Sequence, residues 1–128
     1  MTYNVYRVEH LGTQTNHVQI FIETAPDDGS GIIYHVTGTI LTGMTLEIKP
    51  AGRPESSTET FVPNSKTLVG RLEPLNVHLF EAVCRAVPPP GAQLKLNGQP
   101  RDPLVPVRRC GGWVEEVLVR VTSDGIML

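Results

Sequence analysis

Aromatic side chains are scarce in this sequence. Phe, Trp and Tyr together make up 5% of the 128 residues, too few for the stacking platform that usually holds single-stranded nucleic acid. A cationic surplus is missing as well: 11 Lys and Arg stand against 13 Asp and Glu, for a formal net charge of -2. That balance supplies no broad basic field for phosphate or for an anionic membrane surface. No apolar run approaches the length that crosses a bilayer. The opening MTYNVYRVEH has neither an apolar leader core nor a cleavage motif. The two cysteines, Cys84 and Cys110, cannot make a disulfide framework, and free thiols in a reducing compartment are the simpler reading. The cysteines and four histidines lack the paired spacing of a zinc site. These absences predict one soluble, cytoplasmic domain over residues 1–128, with no nucleic-acid partner, no integral membrane segment, no metal and no cofactor.

What is present is an alternating pattern followed by a helical one. YNVYRVEHL reads as a first strand. TNHVQIFIET places Val18, Ile20 and Ile22 on one face and His17, Gln19, Phe21 and Glu23 on the other, the period of two that marks a strand. Turn residues in APDDGSG lead to GIIYHVTGTI, so the two runs predict a hairpin with a long loop. MTLEIKP and KTLVGRLEP are two further strands. Between them AGRPESSTETFVPNS is polar and proline-containing, and reads as a mobile surface loop, a candidate lid from Ala51 to Ser65. LNVHLFEAVCRAV is the first helix, with Leu79, Phe80, Val83, Cys84 and Val87 as its stripe, Asn76 as its N-cap, and PPPG as its stop. AQLKLNGQPRDPLVPV is an irregular connector with a turn at Asn97-Gly98. A last helix starts near Cys110, with Trp113, Val114, Val117, Leu118 and Val121 inward and Glu116 able to pair with Arg120. Strands first and helices after predict an α+β fold: an antiparallel sheet with two helices packed on one side.

Cys110 sits at the first step of that last helix, behind Arg108 and Arg109 and ahead of Gly111 and Gly112. A helix N-terminus offers open N–H groups and partial positive charge. Such surroundings favour the thiolate, the nucleophilic form of cysteine. The two glycines are poor helix formers, but glycine permits close approach of a substrate and leaves amides open to an oxyanion. A nucleophilic cysteine needs a base. If the second and third strands pair, His17 and His35 meet on one face, one to take the proton and one to orient it. Cys84, mid-stripe, reads as core, and His10 and His78 as ordinary polar residues. Arg108 and Arg109 are surface charge or an anion contact.

The order of these pieces, NHVQIFIE, then GIIYHVTG, then RRCGGWVEEVL, resembles the permuted papain-like fold of the lecithin–retinol-acyltransferase-like and PPPDE-type families, over about residues 16 to 120. Small fungal proteins of that broad type look similar. The resemblance implies His17 as general base, His35 as the orienting residue and Cys110 as nucleophile. Trp113 matches the aromatic three positions after the cysteine. Val18 departs from the aromatic that usually follows the first histidine, Arg109 from the usual asparagine, and Gly111-Gly112 is unusual. Glu47, on the following strand, is a spare third member. With Gly111, Trp113 and Arg109 it completes the set expected near substrate.

The function so implied is a cysteine-dependent amide or ester hydrolase or acyltransferase working through a thioester on a small-molecule, acyl or peptidyl substrate. A tailoring enzyme of a biosynthetic pathway, using the same histidines as acid and base for cyclisation, isomerisation or condensation, is the alternative. An inactive binding module is the third reading.

Overall fold

Burial of one apolar row per strand organises this chain. The computed structural model describes all residues except Thr13, Gln14, Leu96, Pro103, Val105 and Pro106. Part of the expected connector therefore lies outside the described residues; its turn at Asn97-Gly98 lies within them, with Gly98 at φ 84°. Strands β1 (Tyr3–His10), β2 (His17–Ala25), β3 (Ser30–Thr39), β4 (Gly43–Ala51) and β5 (Thr67–Leu72) form one antiparallel sheet in the order β4-β3-β2-β1-β5. Val5, Val18, Ile20, Ile22, Tyr34, Val36 and Leu72 point from it into the main core.

Helices α1 (Val77–Ala86) and α2 (Cys110–Ser123) cover that face. Phe80 meets Tyr34 edge-on, with ring centroids 5.3 Å apart. Trp113 is fully buried and its indole N–H donates to the Val87 carbonyl, 3.1 Å, tying the two helices together. The α+β fold with both helices on one side is thus the one the pattern predicts. Inward residues of α2 are also those predicted, and Glu116 does pair with Arg120, at 3.7 Å. Two details of α1 differ. Leu79 is exposed, because the stripe centres on Phe80 and Cys84. Asn76 holds the N-cap position, but its side-chain amide donates to the Ile126 carbonyl instead of capping. Residues after α2 return to the sheet: Leu128 and Arg71 exchange two backbone hydrogen bonds of 2.9 Å, covering the outer edge of β5.

The β2–β3 connection is shorter than expected. Asp28 accepts from the Ser30 amide and hydroxyl, and Gly29 at φ 75° closes the turn. Segment 52–66 corrects the expectation of a mobile loop. β4 and β5 lie at opposite edges of the sheet, so the chain between them crosses the face turned away from the helices. It is fastened there: Leu11 N–H donates to Thr60 C=O, Val62 N–H to Glu9 C=O, and Pro54 is buried. Lys66 sits 4.5 Å from the Tyr6 ring centroid and pairs with Glu23 and Glu55 at 3.8 and 3.3 Å. Composition signals polarity but not tertiary anchors, and this strap has several.

Lys66→Ala leaves Glu23, itself mostly covered, without its cation. The expected cost is about 2 kcal/mol, below the full value for a buried pair because both groups retain some solvent. Urea unfolding measures it, and limited proteolysis should show earlier cleavage within 52–66.

Candidate active site

Strand register brings the histidines together. His10 stands opposite His17 in the β1–β2 pair, and His35 opposite Glu47 in the β3–β4 pair. Across β2–β3, Ile20 is opposite Tyr34, which makes His17 and His35 diagonal neighbours on one face, within reach of long side chains. His17 Nε2 lies 2.6 Å from His35 Nδ1, and His35 Nε2 lies 2.6 Å from Glu47 Oε1. An ionised carboxylate only accepts, so His35 donates through Nε2. With His35 neutral, its Nδ1 accepts from His17 Nε2–H, and the proton-free nitrogen of the chain is His17 Nδ1. Burial, then the charges of His35 and His10, push the His17 pKa down to about 4. Hydrogen bonds from His35 and Lys49 hold the Glu47 carboxyl below the usual range. At neutral pH this is a neutral imidazole backed by a second ring and a carboxylate.

The row continues further than sequence reasoning takes it. Gln19 is buried, and its side-chain amide donates to His10 Nε2, 3.1 Å, while His10 Nδ1 donates to Thr60 Oγ1, 3.0 Å. Polarity alone makes His10 an ordinary surface residue and gives Gln19 no role. The pattern does hold a signal for both: Gln19 shares the period-two face of His17, and the last residue of β1 falls opposite the first of β2.

Cys110 approaches from the other side. Alternation sends Val18 to the helix face and His17 to the opposite one. The sulfur therefore meets the strand at the peptide joining them: Val18 N–H donates to Cys110 Sγ, 3.4 Å. Among the described residues no hydrogen bond links Sγ to either imidazole. Cys110 is 7% exposed, so it is not sealed. A cavity of about 640 Å³ runs beside it, and His17, Asn16, Thr37, Ile40, Met44 and Arg109 are among its lining residues. Its far wall is the β3–β4 turn, where Gly38 at φ 123° brings its backbone so close to the Gly43 carbonyl that an added Cβ would lie 2.5 Å away. Arg109 begins α2 with extended backbone and no side-chain cap. The Gly112 amide turns back to the Arg109 carbonyl, 3.0 Å, so the amides left without an intrahelical acceptor next to the sulfur are those of Cys110 and Gly111.

The remaining expected contacts divide. Arg109 lines the cavity. Trp113 does not serve as a substrate contact, because it is fully buried between the helices. Glu47 faces the histidine chain, where it accepts from His35 Nε2. Gly111 turns toward the sheet: a Cβ there would sit 3.5 Å from Val18 Cγ2, in ordinary contact. Gly112 is exposed, with the Arg108 side chain at its flank: the Arg108 Cγ would lie 3.2 Å from such a Cβ. Cys84 is core, in keeping with its place on the stripe, and burial pushes its thiol up to about 12. Among the described residues no group of three His, Cys, Asp or Glu side chains could hold a metal ion. Among those residues no helix is long and apolar enough to cross a membrane.

The chain belongs to a family of unknown function (DUF6540), which it matches over residues 5–128. No curated protein and no solved structure is significantly similar to it.

Two outcomes test this geometry. Unfolded histidine takes a proton near pH 6.5, whereas folded His17 does so only near 4. Between these values the unfolded chain binds more protons, so the stability from His17 is whole above about pH 6.5 and is lost as pH falls toward 4. Urea midpoints at pH 7 and pH 5 should register the loss, and His17→Asn should reduce it; an undiminished loss would place the titration elsewhere. Gly111→Ala should stabilise the protein by about 0.5–1 kcal/mol, since glycine is a poor helix residue and the added methyl has room. A fall in thermal midpoint would show that the Val18 contact cannot absorb it.

Proposed function

We propose that the protein is a cysteine-dependent amide or ester hydrolase or acyltransferase, with Cys110 as nucleophile, His17 as base, His35 as orienting residue and Glu47 as the carboxylate that fixes His35. One observation carries the reading. The Glu47–His35–His17 chain terminates in the unengaged Nδ1 of the residue whose peptide bond to Val18 supplies the N–H held by the Cys110 sulfur. Nucleophile and base thus converge on one peptide from two elements, and both line one cavity. Catalytic hydrogen bonds commonly close only once substrate is bound, and the thiol-to-imidazole contact is of that kind. The likeness of the residue order to permuted papain-like enzymes points the same way.

The steps derive from these roles. His17 Nδ1 takes the thiol proton as the sulfur attacks the substrate carbonyl. The imidazolium is stabilised through His35 by Glu47, which need not itself be protonated. First-turn amides of α2 receive the oxyanion. The bond to the amine or alcohol then breaks, the leaving group takes the proton from His17, and a thioester remains on Cys110. Water, deprotonated by His17, releases the acid; a different nucleophile gives acyl transfer. Acid–base chemistry without a covalent intermediate is a second reading. It is favoured by the bond of the sulfur to the Val18 amide and the absence of one to an imidazole among the described residues.

An activated ester, p-nitrophenyl acetate, separates them. Intact-mass analysis of the full chain should find an acyl adduct, mapped to the peptide containing Cys110. Cys110→Ser should abolish the adduct and lower turnover by about 10³-fold, and His17→Gln should lower it by about 10²–10⁴-fold. Glu47→Gln, which keeps the shape but removes the charge, should cost roughly tenfold in kcat. Full activity in Cys110→Ser would assign the chemistry to the histidines alone.

A further inference from the structure

Three arginines of this chain are half-buried: Arg7, Arg108 and Arg109. Arg7 is held by Glu9 at 2.8 Å and Glu115 at 3.1 Å. Arg108 donates to the Pro88 carbonyl at 2.7 Å and lies 3.6 Å from Glu116. The Arg109 carbonyl accepts from the Gly112 and Trp113 amides, but its guanidinium has no hydrogen bond and no ion pair among the described residues. A partly desolvated guanidinium costs free energy unless something answers its charge. Arg109 lines the cavity beside Cys110, and no Asp or Glu is among the described residues that line it. The positive end of α2 lies at the same space, since Cys110, the first residue of the helix, lines it too, and its partial charge has the sign of Arg109. The opposite wall is aliphatic, formed by Val36, Ile40, Leu41, Met44 and Leu94.

We propose that Arg109 is the specificity-determining residue of this cavity and binds a carboxylate carried by the substrate a few bonds from the carbonyl that meets Cys110. This inference rests on the reading of the cavity as an acyl-binding site and names its substrate class: amides or esters bearing a free carboxylate on a short aliphatic segment. A single guanidinium fork matches one carboxylate, and two parallel N–H···O bonds fix its direction. Arg109 directly precedes the nucleophile, so a carboxylate held there orients the neighbouring carbonyl as well as binding it. The aliphatic wall takes the chain between the two polar groups.

The test needs no natural substrate and no turnover. Iodoacetate and iodoacetamide alkylate a thiolate in the same way: the sulfur displaces iodide from the CH2, forming a C–S bond. They differ in that one carries a carboxylate and the other a neutral amide. Rates at Cys110 are measured on the full chain by mass spectrometry, with peptide mapping to exclude Cys84. A change in thiolate population or in local fold affects both reagents, so the ratio of their rates isolates recognition of the charge. The iodoacetate-to-iodoacetamide ratio should be at least about tenfold higher in the native protein than in Arg109→Gln, a difference of about 1.4 kcal/mol. Arg109→Lys should fall between them, and glutarate should slow alkylation of the native protein more than pentanamide does. Equal ratios in native protein and Arg109→Gln overturn the inference, as does a native Cys110 that neither reagent labels. Failure of the hydrolase reading shows separately, as loss of the ester adduct with the ratio still dependent on Arg109.

Discussion

A one-residue slip of β2 would turn Val18, Ile20 and Ile22 out of the core, where they pack beneath α2 with Tyr34 and Val36 of β3. Burying each such side chain is worth roughly 1.5–3 kcal/mol, whereas a single hydrogen bond nets about 1 kcal/mol. Apolar burial therefore decides the register, and the polar residues take the positions it leaves them. Once β2 is fixed, His17 must face away from the helices, opposite His10 and diagonal to His35, and Glu47 must stand across from His35. The histidine chain is a consequence of core packing on the reverse side of the same strands.

Polar side chains on that reverse face need cover and partners at once. Gln19 and His35 are the buried polar residues of the described chain, and each has a partner: Gln19 has His10, while His35 has His17 and Glu47. The strap over residues 52–66 meets this row at His10: Phe61 packs edge-on against its ring and Thr60 supplies its partner. Low local dielectric strengthens a satisfied network and penalises a broken one. Loss of the strap would leave His10 Nδ1 without Thr60 and loosen the tautomer order that His10 shares with Gln19.

Local pattern makes much of this legible. Strict alternation in HVQIFIET and IIYHVTG identifies the hairpin, its core face and the meeting of His17 with His35. The helical spacing after Cys110 identifies α2 and its inward stripe. Polarity alone cannot reveal what depends on contacts far apart in the chain. The strap is anchored by Lys66, Glu9 and Thr60, none of which carries a local signature. The C-terminal residues pair with β5 through backbone groups, which any side chains would permit. Trp113 reads equally well as a ligand contact or as core, and only the position of the Val87 carbonyl separates the two. The glycines after Cys110 suggest an open approach for substrate, yet one faces Val18 and the other, though exposed, is flanked by the Arg108 side chain.

Arg108 and Gln93 explain how an irregular connector presents a cysteine with defined geometry. The Gln93 side chain accepts from the Arg108 amide and donates to its carbonyl, both at 2.5 Å, so one side chain substitutes for a strand partner. That pins the residue two positions before Cys110 while the Arg108 side chain packs over Gly112. The helix beyond this clamp starts with no side-chain cap, although Ser, Thr, Asp or Asn there would contribute about 0.5–2 kcal/mol. A capping oxygen would compete for the first-turn amides that an oxyanion needs, and would set an acceptor lone pair, or with Asp a full negative charge, against the sulfur. The uncapped start therefore sacrifices local helix stability, which the Gln93 clamp and the buried Trp113 offset from outside the helix. Departures from local rules that are compensated at a distance are expected at functional sites, and the N-terminus of α2 is a departure of that kind, in keeping with the proposed role of Cys110.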